Sequence, residues 1–158
     1  MNKLILTVGL PRIGKSTWCK QVMKRGIPIV NPDSIRLAIH GQPFISDAEP
    51  YVWATAMTMT KSLFLAGHKK VVVDATNTTR SRRDFWKSPD WIREYKVFGS
   101  PDDMLLCMER AKESCETDGH YMGLTSAIKR MADNWEPVEE DEWDAVSQIR
   151  KSIVARPT

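Results

Sequence analysis

The sequence predicts an α/β domain: a parallel sheet flanked by helices. Two observations point there. Short apolar runs alternate with longer stretches of helical character, as in strand–helix–strand units whose sheet is covered on both faces. Polar residues gather just past those runs, at Gly9, Asp33 and Asp74, on the strand ends where such sheets bind ligands.

The elements follow in order. Leu4–Val8 is a β-favouring run ended by Gly9 and Pro11. Ser16–Arg25 reads as a helix, and Ile27–Val30 as a second strand closed by Asn31-Pro32. Asp33 or Ser34 is placed to cap a helix running to His40. Gly41–Pro50 reads as a loop. Tyr51–Ala66 lacks Gly and Pro and reads as a long helix stopped by Gly67. Its Trp53, Met57, Met59 and Phe64 are expected in the core, as is Trp18. Lys70–Val73 is a third strand, Arg80–Lys87 a short helix and Glu94–Phe98 a fourth strand. Asp102–Cys115 is helical, Gly119–Gly123 is expected to break that helix, and Thr125–Trp135 is helical again. Asp144–Ile153 reads as helix or late strand.

A chain of 158 residues suits one domain, 1–158. Its 42% hydrophobic and 27% charged residues exclude a disordered chain. No run approaches the roughly 18 apolar residues of a membrane span, so no membrane partner is expected. The opening MNKLILTVGL is basic then apolar, but runs into Pro, Arg, Gly and Lys rather than a cleavage site. Cys19, Cys107 and Cys115 form no CxxC, which points to a reduced, cytoplasmic protein without disulfides. His40, His68 and His120 are too scattered to suggest a metal cluster. Residues 1–40 carry seven bases and one acid, net +6, so an anionic partner is expected there.

Gly9-Leu10-Pro11-Arg12-Ile13-Gly14-Lys15-Ser16 fits G-x-x-x-x-G-K-[ST], after a predicted strand and opening a predicted helix. The glycines let successive N–H groups turn inward, and the helix N-terminus adds partial positive charge. Lys15 is expected at the β- and γ-phosphates of ATP or another nucleoside triphosphate. The Ser16 hydroxyl is expected on Mg2+ and Thr17 near the α-phosphate.

LILTVGLPRIGKSTW, then NPDSIR, then VVVDATN resembles the phage-type polynucleotide 5′-kinase family of P-loop kinases, in order and in separation. The resemblance is strongest over 1–40 and 70–98, with IKRMADNWEP similar to a late helix. It implies a P-loop kinase fold with a helical lid, about residues 104–124. It also implies transfer of the ATP γ-phosphate to a 5′-hydroxyl end of DNA or RNA. Asp33 matches the general base and Arg36 the arginine that binds an acceptor phosphate. Asp74, Thr76 and Asn77 match the D-x-T-N stretch near the transfer site, with Asp74 also near the metal. The residues agree: a hydroxyl nucleophile needs one positioned carboxylate, and Asp33 is the only acid in the first forty residues. Helix capping is the ordinary alternative for Asp33, an exposed helix arginine for Arg36, and a turn aspartate for Asp74. The cluster Arg80, Arg82, Arg83 reads either as acceptor binding, with Arg83 in the site, or as a solvated helix face.

The family's lid carries R-x-x-x-R. Here Arg110 matches the first position and Ser114 occupies the second, with Lys112 on another helical face. Arg130 is a further lid-region cation. Arg12 stands where relatives often carry Gly or Ser, and reaches ATP, the acceptor or water. The leading expectation is a kinase domain alone, ending before any fused phosphatase or ligase domain, so that those partners would be separate proteins. The alternatives are a P-loop kinase of a small hydroxyl compound (nucleoside, sugar or antibiotic) and a non-catalytic nucleotide switch. Asp33 and Arg36 argue against the switch, which needs no hydroxyl base.

Overall fold

Four short strands form the sheet in a computed structural model that describes residues 1–115 and 121–143. They are β1 (Lys3–Val8), β2 (Ile29–Val30), β3 (Lys70–Val73) and β4 (Ile92–Val97). All pair in parallel, in the order β2-β3-β1-β4, with Leu4 opposite Val71 on one side and Arg93 on the other. The helices are α1 (Lys15–Met23), α2 (Pro32–His40), α3 (Glu49–Leu65), α4 (Arg80–Asp84), α5 (Met104–Cys115) and α6 (Tyr121–Asp133).

Successive side chains of a strand point to opposite faces, and here both faces are covered. Leu4, Leu6, Val71 and Val73 join Val52, Ala56 and Phe64 of α3 in one buried cluster. Ile5 and Val72 pack with Cys19 and Val22 of α1 in another. Fully burying each such Val or Leu contributes about 1.5–3 kcal/mol. That is why wholly apolar strands mark a sheet covered on both sides. A third cluster lies off the strand ends, where Leu10 of the glycine loop is buried with Cys107 and Ala111 of α5 and Ile128 of α6. The helices expected as a lid therefore rest on the loop itself.

Several expectations are corrected. β2 is shorter than Ile27–Val30, because Pro28 has no N–H to give; its carbonyl accepts from Val72 N at 3.0 Å. The cap of α2 is neither Asp33 nor Ser34. Asn31 caps it, its side chain accepting from Asp33 N at 2.9 Å and Ser34 N at 3.4 Å, and Pro32 takes the first helical position. Helix α5 ends at Cys115, as expected, but Gly123 belongs to the next helix: α6 begins at Tyr121 and runs through it. A helical Gly costs about 1 kcal/mol, which the burial of Ile128 against α5 offsets. The long helix starts at Glu49, two residues early. Of its expected core residues, Phe64 is buried and Trp53 and Met57 pack partly against the core, but Met59 is 39% exposed. Trp18 is half-buried, edge-on to Phe98. Asp144–Ile153 lies outside the described residues.

Candidate active site

β1 delivers the glycine loop to the edge of the sheet formed by the strand carboxyl ends. Gly9 N donates to Thr76 O at 2.9 Å, and Asn77 Nδ2 donates to Thr7 O at 2.9 Å, so the D-x-T-N stretch is tied directly to the loop. The Thr7 hydroxyl adds a second tie, donating to Ala75 O at 2.7 Å and accepting from Ala75 N at 3.0 Å. Gly9 is required by space: a Cβ there would stand 2.9 Å from Ile13 Cγ2 and 3.0 Å from Phe98 O. Gly14 is required by its backbone, with φ at 115°. Gly14 is also the N-cap of α1, so no side chain occupies the donor end of that helix. Arg12, the non-glycine departure, adopts φ 69° and is exposed.

Lys15 turns back over the loop. Its Nζ donates to Gly9 O at 2.9 Å and Leu10 O at 2.6 Å. Burial lowers its pKa to about 8, against the raising effect of Asp74. Ser16 Oγ donates to Asp74 Oδ2 at 3.0 Å, joining the two residues expected at the metal. The hydroxyl and carboxylate are hard oxygen donors, which suit magnesium. Among the described residues no group of three His, Cys, Asp or Glu makes a separate metal cage. Lys15 beside the open end of α1 likewise fits a triphosphate. Beneath Asp74 the buried Cys19 thiol is pushed up to about 12, chiefly by burial, and stays neutral.

Asn31 is a site residue that the sequence reading overlooked. While its Oδ1 caps α2, its Nδ2 donates to Asp74 Oδ2 at 3.4 Å. One side chain thus ties the helix bearing Asp33 and Arg36 to the Ser16–Asp74 pair. NPDSIR contained the signal, since Asn before Pro is a preferred cap. Relieved of capping, the Asp33 side chain is 82% exposed. As expected for i, i+3 spacing, it meets Arg36 on one helical face, Nη1 to Oδ1 at 2.6 Å. A cavity of about 520 Å3 opens beside this group, walled by Ser16, Asn31, Ser34 and Asp74 and by apolar residues including Ile39 and Met59.

Glu49 was also overlooked. Arg36 gives it a two-point ion pair, Nε to Oε1 at 2.7 Å and Nη2 to Oε2 at 2.9 Å, and Trp53 Nε1 donates to Oε2 at 3.0 Å. Burial opposes the Arg36 charge, but the Glu49 and Asp33 carboxylates outweigh it and hold the guanidinium above its usual pKa. The Arg36 hydrogen bonds in turn hold Glu49 below the usual carboxylate range.

Arg83 is placed elsewhere. It is wholly buried, paired to Glu142 through Nε at 2.6 Å and Nη2 at 2.9 Å, and gives Nη1 to Asn77 O at 3.0 Å. Its donors point inward, so it braces the D-x-T-N turn and cannot meet an acceptor. Asn77 is also buried, its Nδ2 given to β1, and Thr76 meets the loop through its backbone carbonyl. Arg110 does reach the loop: Nη1 donates to Arg12 O at 3.3 Å. Ser114 instead bonds within its helix, to Ala111 O at 3.1 Å. Arg130 is exposed at a second cavity, with Thr78, Thr79 and Trp135. Pro11 and Ile13 are half-buried, and Thr17 is exposed on the first turn of α1.

The parallel sheet, the glycine loop and the Lys15–Ser16–Asp74 group define a P-loop kinase domain. The chain belongs to the AAA domain family AAA_33, whose model matches residues 4–113. It is also similar to a chain in the structure of a Pnkp1/Rnl/Hen1 complex, with 29% identity over 66% of this chain and TM-score 0.57. This chain spans 38% of the length of that one. The fold is shared with a gluconokinase from Sinorhizobium meliloti 1021, at 23% identity and TM-score 0.51, over 85% of this chain and 75% of that one. Among the described residues no helix is long and apolar enough to cross a membrane.

Proposed function

We propose that this protein transfers the γ-phosphate of ATP to a 5′-hydroxyl end of DNA or RNA, with Asp33 as general base. The observation that carries the reading is the release of Asp33 from helix capping by Asn31, which leaves an exposed carboxylate on Arg36. Phosphoryl transfer needs mainly positioning and charge neutralisation, and a hydroxyl acceptor adds the need for one base. Bound ATP with magnesium supplies the phosphoryl group and offsets its charge. Lys15 would exchange its bonds to the loop carbonyls for bonds to phosphate oxygens. Ser16 and Asp74 would hold the ion. Asp33 accepts the hydroxyl proton, and Arg36, whose fork is held by Glu49, meets the acceptor's first phosphate with the Nη1 and Nη2 hydrogens that Asp33 and Glu49 leave over. Arg110, which donates to Arg12 O of the loop, would meet charge at the γ-phosphate. The similarity to a chain from a complex with Rnl and Hen1 fits separate repair partners, such as a phosphatase or ligase.

The test incubates the protein with labelled ATP, magnesium and one of three acceptors: a 5′-hydroxyl oligonucleotide, its 5′-phosphorylated form, or gluconate. Label on the 5′-hydroxyl oligonucleotide alone is the expected result. Label on gluconate with none on the oligonucleotide would replace this reading with a small-molecule kinase.

A further inference from the structure

Three arginines stand within four residues on α4, and the structure disposes of them differently. Arg83 is buried on Glu142, and Arg80 lies on Asp141, Nη2 to Oδ2 at 2.6 Å, with Asp84 beside it. Arg82 is exposed and makes no ion pair among the described residues. Instead its guanidinium carbon lies 4.3 Å from the centroid of the Trp53 ring. That ring is fixed by its Nε1 bond to Glu49, and the Arg36 guanidinium lies 5.8 Å from the same centroid. The two guanidinium carbons are therefore at most about 10 Å apart. Phe85, 39% exposed and edge-on to Trp53, borders the same surface.

A long flexible side chain normally loses rotamer freedom when it binds an anion. The Trp53 face attracts the Arg82 cation at that distance without engaging an N–H donor, so the hydrogen-bonding groups are left for an anion. We infer that Arg82 on its Trp53 platform is a second phosphate subsite, taking the phosphate one nucleotide further along the acceptor strand than the one held by Arg36. Resting on the proposed function, it refines the substrate class. The enzyme prefers single strands of at least three nucleotides to a nucleoside 3′-monophosphate. Phe85 offers the intervening base an apolar edge.

The experiment compares kcat/KM for a 5′-hydroxyl trinucleotide and for the nucleoside 3′-monophosphate of the same first nucleoside. It uses the wild type, Arg82→Ala, Arg82→Gln and, as a control for general charge, Arg80→Ala. Arg82→Gln keeps the apolar stem over Trp53 should Arg82→Ala loosen the fold. The wild type is expected to favour the trinucleotide. Both Arg82 variants should lower that preference about tenfold, through KM, as loss of one charged hydrogen-bonded contact implies. They should also reduce the salt slope of acceptor binding by about one. Arg80→Ala should keep the preference. An unchanged ratio in both Arg82 variants, or an equal fall in Arg80→Ala, overturns the subsite alone. Transfer to neither acceptor by the wild type overturns the polynucleotide reading itself.

Discussion

Arg36 and Glu49 meet by two hydrogen bonds of 2.7 and 2.9 Å, from two helices that the sequence separates by a loop. The pair fixes the guanidinium that also touches Asp33, so Glu49 positions the Asp33 carboxylate through Arg36. Both side chains are mostly buried, and removal of Glu49 leaves Arg36 only the exposed Asp33 as a partner and strips Trp53 Nε1 of its acceptor. Glu49→Ala should therefore cost about 3 kcal/mol and lower Tm by about 6–12 °C. Glu49→Gln, which keeps an acceptor for Arg36, should cost less than half of that. Thermal unfolding followed by circular dichroism reads both. Equal losses would show that packing, not the ion pair, matters there.

Asp33→Asn should fold normally, because the helix cap is Asn31. It should retain ATP affinity and lose phosphoryl transfer by about 10²–10⁴-fold, the usual range for one general base. Calorimetric ATP titration and single-turnover transfer separate the two effects. Near-normal transfer would remove Asp33 from the chemistry.

Lys15 makes a pH prediction. Its pKa is about 8 in the folded chain against an ordinary 10.5. Below pH 8 both states carry the proton, and the folded state bears the full cost of the buried charge. Between 8 and 10.5 the unfolded state binds more protons, so stability gained from Lys15 rises with pH, by up to about 3 kcal/mol. The difference in urea-unfolding free energy between wild type and Lys15→Met should grow over that window. A flat difference would mean that Lys15 titrates normally.

The Arg83–Glu142 pair is buried on both sides. Arg83→Ala should cost about 3–5 kcal/mol, whereas Arg83→Met with Glu142→Leu should come close to neutral. Guanidinium chloride unfolding of the single and double variants measures the contrast. An additive loss in the double variant would refute the ion-pair account.

How legible these features were depends on the reach of each signal. The strands β1 and β3 follow from uninterrupted apolar runs, and α3 from seventeen residues of which only Pro50, at its first turn, is a breaker. The glycine loop and the Asp33–Arg36 spacing are local patterns, and both were readable. Glu49 meets Arg36 across 13 residues, and Glu142 meets Arg83 across 59. No periodicity carries that information, so the sequence reads Arg83 as an acceptor-binding base or part of a solvated face. The start of α6 was missed because Gly123 is a breaker only on average; tertiary burial decided otherwise. Leu10 occupies a position that the loop pattern leaves free, so nothing local marked it as a core residue.

That last residue has a consequence for how the molecule opens. Leu10 is part of the same buried cluster as Cys107, Ala111 and Ile128, so α5 and α6 cannot lift without exposing a leucine from the phosphate loop. Loop and roof should behave as one cooperative unit. In amide hydrogen exchange, the backbone N–H groups of residues 13–19 should share an opening free energy with those of α5 and α6, apart from β4. Leu10→Ala should lower protection in all of them together. How firmly the glycine loop holds its shape is then set in part by an apolar contact beneath it.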